Sequence, residues 1–167
     1  KTDEHVSKTP LRLDVLGKMK LGRNGKTDTI QGRKRQEFLA LLLESRLAGR
    51  SEVSRLELLD TLYTDEAELT ALRNLKSLLH SLRSTLGEKS ILTTDTGYCL
   101  RAIKSDAEEF LGTGDTSLWR GSYLEGRGTN VQDAVSESLY LALFEKAKEL
   151  LETNPQETAR VAKFLLL

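Results

Sequence analysis

The sequence predicts an α+β fold: short strands first, then three helices closed by a hairpin, then a segment of helices alone. Three observations carry that prediction. Leu occurs 33 times, against 6 Val and 3 Ile, and leucine favours helix where β-branched residues favour strands. Leu11, Leu13 and Val15 alternate with Arg12 and Asp14, the period of a half-buried strand. Asn24-Gly25 and Asp95-Thr96-Gly97 each stand between short strand-like runs, as hairpin turns do. A chain of 167 residues has room for one or two domains with a real core.

Residues 1–9 are polar and are expected to form a disordered tail. After the first strand, Met19-Lys20-Leu21 and Thr27-Asp28-Thr29-Ile30 flank Arg23-Asn24-Gly25-Lys26 and pair as a hairpin. Phe38, Leu39, Leu41, Leu42 and Leu43 then lie in a helix from near Arg33 to just before Gly49. Ser54 and Glu57 form a capping box, in which each side chain satisfies a free backbone N–H. They open a short helix with Leu56, Leu58, Leu59 and Leu62. The third helix runs from about Glu66 to Leu86 and stops at Gly87. Ile91-Leu92-Thr93-Thr94 and Tyr98-Cys99-Leu100-Arg101 form the closing hairpin.

Ser105 and Glu108 make a second capping box for a brief helix through Phe110 and Leu111. Residues 112–130 are rich in Gly, Ser and Thr, apart from Leu118, Trp119, Tyr123 and Leu124. Trp119 reads either as a core clamp between two domains or as an anchor for a partner. A longer helix is expected from Val131 to Glu152, and Asn154-Pro155 starts the last one. The start at Lys1 and the uncapped apolar Phe164-Leu165-Leu166-Leu167 predict a piece of something longer, truncated within a helical array.

Basic and acidic residues balance at 25 each. Residues 10–104 hold 17 basic and 12 acidic side chains, while residues 105–167 hold 6 and 11. Such asymmetry suggests a basic region facing a polyanion, and ordinary scatter accounts for the charges equally well. The single Cys, Cys99, excludes an internal disulfide framework and a Cys-cluster zinc site. No apolar run approaches the roughly 20 residues that span a bilayer, and no signal-like start is present. The expectation is a cytoplasmic protein without a membrane partner.

The third helix carries the informative surface. At 100° per residue, Leu72, Leu75, Leu78, Leu79, Leu82 and Leu86 share one side. Arg73, Lys76, Ser77, His80 and Ser84 share the other, with Arg83 at the rim and no acidic residue from Arg73 to Leu86. A face of Arg, Lys, Asn, Ser and His offers donors to phosphates and base edges. A short capped helix before it and a hairpin after it fit the recognition helix of a winged helix-turn-helix.

A series of runs extends that reading. Leu11-Arg12-Leu13 through Leu16-Gly17 comes first, then Gly32-Arg33-Lys34-Arg35. Ser54-Arg55-Leu56-Glu57-Leu58-Leu59, Leu62-Tyr63, Ser81-Leu82-Arg83, Leu86-Gly87 and Gly97-Tyr98 follow in order. With these, residues 10–104 resemble the winged-helix DNA-binding domain of OmpR/PhoB-type regulators, and more closely that of SARP-type bacterial activators. Leu118-Trp119-Arg120-Gly121 resembles the lead-in to the bacterial transcriptional activation domain, a TPR-like helical module that residues 105–167 would begin. The resemblance implies an N-terminal sheet packed on three helices, a third helix in the major groove and a wing touching the minor groove. It places base-edge or nearby phosphate contacts on Arg73, Asn74, Ser77 and His80, and backbone contacts on Arg83 and Arg55. Lys76 is assigned by helix geometry alone. Arg33, Lys34 and Arg35 are further phosphate candidates or a solvated helix start, and Thr94 and Thr96 are the wing candidates. Asp95 and Cys99 stand where such regulators often carry Arg, so the wing tip is acidic.

No catalytic constellation is legible. Gly25-Lys26-Thr27 imitates the end of a phosphate-binding loop but lies between two strands and lacks the earlier Gly, where Lys20 stands. His5 and His80, the only histidines, have no metal-ligand spacing. The expected function is sequence-specific duplex DNA binding by a transcriptional activator, not an enzyme and without a cofactor. It would be nucleoid-associated, with RNA polymerase as a partner and a homodimer on DNA. The alternative is a winged-helix protein-interaction module that has lost DNA binding, within a larger helical-repeat signalling protein.

Overall fold

The computed structural model describes residues 10–126 and 133–166. The expected tail at 1–9, the helix start expected at Val131 and the terminal Leu167 lie outside them. The chain has a mixed α+β architecture. By its contacts, the described chain divides into two compact units, one of residues 30–103 and one of the residues before and after them.

Residues 30–103 hold helices α1 (Arg33–Leu47), α2 (Arg55–Leu62) and α3 (Glu68–Leu86). They also hold a three-stranded sheet of order β4-β6-β5, with β4 Val53–Ser54, β5 Ile91–Thr93 and β6 Gly97–Leu100. Helix α1 is buried from Glu37 through Ser45, as expected of a helix that is apolar on more than one side. Phe38 lies against Tyr98, with ring centroids 6.4 Å apart. On α3, Ala71, Leu75, Leu79, Leu82 and Leu86 are buried, four of them on the predicted apolar side. Leu72 and Leu78 are half-buried.

Two local expectations, the capping box at Ser54 and the turn before Tyr98, need correction. Ser54 caps α2 by accepting the Glu57 N–H at 3.0 Å, but the Glu57 carboxylate takes Arg50 at 2.7 Å instead of closing the box. Leu56 is 68% exposed, because only Leu58 and Leu62 of that run reach the interior. Gly97 belongs to β6 and pairs with Ser54 of β4, so the turn is Thr94-Asp95-Thr96.

The other unit carries a sheet of order β3-β2-β1-β7, built from β1 (Leu11–Asp14), β2 (Lys20–Arg23), β3 (Lys26–Thr29) and β7 (Ile103–Ser105). Asn24 and Gly25 both have positive φ, 54° and 79°, as a two-residue hairpin turn requires. Helix α4 (Asp106–Thr113) follows, capped by Ser105. Helices α5 (Asp133–Thr153) and α6 (Pro155–Leu165) then form a helical pair. Asn154 caps α6 with Pro155 at its first position. Trp119 is fully buried among Phe110, Tyr140 and Phe164, at 5.6, 5.4 and 6.4 Å between ring centroids. It is thus core within this unit and presents nothing to a partner. Arg160 of α6 donates to the carbonyls of Trp119 and Thr116 at 2.7 and 2.8 Å. Its hydrogen bond to Glu157, with a further one from Thr116, holds that carboxyl down at about 2.

Asp106, only 1% exposed, accepts the backbone N–H groups of Val15 and Leu16 at 2.8 and 3.1 Å. Burial pushes its carboxyl up to about 6, against the two N–H bonds. A carboxyl raised on folding contributes stability that is full below the unfolded value of 3.8 and is lost as pH rises through about 6. The unit is therefore expected to lose up to about 3 kcal/mol between pH 4 and pH 8 from this group. Urea midpoints across that range should show the decline in the wild type and lack it in Asp106→Asn. An equal slope in both proteins would remove Asp106 as the cause.

Among the described residues no helix is long and apolar enough to cross a membrane. Among the described residues, likewise, no cluster of three His, Cys, Asp or Glu side chains is placed to hold a metal.

Candidate nucleic-acid interface

Helix α3 is amphipathic because its leucines recur at helical spacing, and burying them turns one polar row outward. Arg73, Lys76, Ser77, His80 and Ser84 are all exposed. Among the described residues none of these side chains has a hydrogen-bond or ion-pair partner. Arg55, at the first position of α2, is also exposed with its guanidinium free. These are the groups in position to meet an outside ligand.

The remaining predicted contacts have internal partners. Asn74 donates to Glu66 at 2.7 Å; Glu66 stays outside α3, which begins two residues later than expected. Arg83 donates Nε and Nη2 to the Ile91 carbonyl at 3.1 and 2.8 Å, and Nη2 to Thr93 at 3.0 Å. The basic run at the start of α1 is likewise engaged. Arg33 pairs with Glu37 at 2.9 Å, Lys34 donates to the Leu62 carbonyl and lies over the Tyr63 ring, and Arg35 donates to Ser81 on α3.

The wing threonines are also engaged. Thr94 and Thr96 both donate to the Glu52 carboxylate, Thr96 at 2.7 Å. The hydrogen bond from Thr94, then that from Thr96, lowers the Glu52 carboxyl below its usual value. The Thr96 carbonyl accepts the Arg55 N–H at 2.9 Å, so the wing turn also helps cap α2. Glu52 and Asp106 are the two carboxylates that pattern reading missed. Both act on groups 42 to 91 residues away, and no local signal marks them.

No family model matches the chain, and no curated protein matches it. The order of sheet, three helices and closing hairpin is that of an EmbR-like winged-helix fold. One solved structure with this likeness is Mycobacterium tuberculosis EmbR, determined in complex with a low affinity phosphopeptide. The TM-score is 0.64 at 19% identity, over 86% of this chain and 46% of EmbR. This chain thus spans less than half of its neighbour, and the likeness is one of fold.

Proposed function

We propose that the chain is a transcriptional regulator whose residues 10–104 bind duplex DNA, with α3 in the major groove, and that it performs no chemistry. The observation that carries this reading is the exposed row Arg73, Lys76, Ser77 and His80, which no acidic side chain neutralises. Its fold likeness to EmbR supports a regulator role. Residues 105–167 are the start of a TPR-like activation module in this reading, with protein partners such as RNA polymerase or a second copy on DNA. The site lies in the cytoplasm, at the nucleoid.

Backbone charge supplies most of the affinity and α3 most of the sequence choice. Log K should fall with log salt by about 0.9 for each phosphate neutralised. Arg73→Ala should relax preference for a selected duplex over a scrambled one by about 1–3 kcal/mol. Arg55→Ala should instead weaken both duplexes alike and reduce the salt slope by about one. Titrating both variants against matched and scrambled duplexes tests this directly. Identical behaviour of the two variants would mean that α3 does not read sequence.

The acidic wing favours a second reading, an interaction module for a basic protein surface. Absence of duplex binding at low salt would select it.

A further inference from the structure

We propose that the β5–β6 wing is a strut that fixes α3 and takes no part in reading duplex, so that recognition is confined to one major groove. This rests on the DNA-binding reading above and specifies how that site works.

Three ties spend the wing's polar groups inside the protein. Arg83 of α3 grips the Ile91 carbonyl and Thr93 of β5. Glu52 takes both turn hydroxyls, Thr94 and Thr96. The Thr96 carbonyl is used by the Arg55 N–H. A wing that enters a minor groove needs donors aimed at the T O2 and A N3 acceptors, or cations for the phosphates flanking them. This turn offers no cation. Its hydroxyls point their protons at Glu52, and its remaining side chain is the exposed carboxylate of Asp95. With Glu52 this puts two carboxylates at the wing, and the phosphate backbone repels both. Arg83, predicted from sequence as a phosphate contact, acts here as a positioning residue that sets the angle between α3 and β5.

The test uses the full chain and a duplex selected from a random pool at low salt, placed between A·T-rich flanks. Netropsin, which fills A·T minor grooves, should change Kd less than twofold. Thr96→Val and Thr94→Val should lower the urea midpoint while leaving the ratio of matched to scrambled affinity within twofold. Asp95→Asn should tighten binding to every duplex alike. A tenfold loss with netropsin overturns the proposal. So does a tenfold drop in the matched-to-scrambled ratio for Thr96→Val, a substitution at an exposed position, with an unchanged circular dichroism spectrum. Failure of the wild type to bind any duplex would instead overturn the DNA-binding reading itself, and with it this one.

Discussion

Replacing Trp119 with Ala is expected to cost about 3–5 kcal/mol of stability, the range for emptying a large aromatic site. The ring is fully buried and meets Phe110 edge-on at an interplanar angle of 90°. Tyr140 and Phe164 complete its surroundings. Its carbonyl is also the point at which α6 is tied down through Arg160, so collapse around the missing ring would disturb that bond too. For a chain of this size the loss corresponds to a fall in Tm on the order of 10 °C. Circular dichroism is the suitable probe, because Trp119 is the chain's single Trp and its fluorescence disappears with it. Trp119→Phe should cost far less, about 1–2 kcal/mol. The indole Nε1 is buried without an acceptor among the described residues, so removing it forfeits no hydrogen bond. A loss under about 1 kcal/mol for Trp119→Ala would show that the four-ring cluster is not the core of this unit.

The parts of the fold that were legible in the sequence are those with dense local signals. Asn24-Gly25 specifies its own turn through positive φ. The apolar side of α3 repeats often enough over 19 residues to identify both faces. Strands β4 and β7 span two and three residues, too few for any period to register, and they exist only because partners elsewhere supply their ladders. Which leucine of the short helix stays exposed is undecided by the sequence for a related reason: four leucines in seven residues cannot all share one side of a helix, and tertiary packing leaves out Leu56. The candidate site divides along the same line. Exposure of Arg73 and His80 follows from helical period alone. That Arg83, Arg35, Thr94 and Thr96 are engaged follows from contacts between residues 10 to 46 positions apart, which composition and spacing do not encode.

Gly97 shows how a residue read as turn chemistry becomes the tightest steric constraint near the wing. A Cβ added there would lie 1.8 Å from the Val53 carbonyl oxygen and 2.7 Å from the Ser54 Cα. Both atoms are backbone, and they belong to β4, which pairs with β6 at Val53–Tyr98 and Ser54–Gly97. No side-chain rotation relieves such a clash, so Gly97→Ala must push β4 away from β6. That displacement strains the Ser54 cap of α2 and the Arg55 N–H bond to Thr96. The expected cost is at or above the top of the range for overpacked sites, about 3 kcal/mol. Gly112→Ala is the control. Gly112 lies inside α4, a Cβ there meets nothing within 4 Å, and the change should stabilise by about 0.5–1 kcal/mol. The two substitutions add the same methyl group and should move the urea midpoint in opposite directions. Hydrogen exchange adds a local readout, since amides of Tyr98 and Leu100 should lose protection in Gly97→Ala and keep it in Gly112→Ala. Equal protection at those amides in both variants would mean that β4 and β6 stay paired around the added methyl group, and the predicted clash would be wrong.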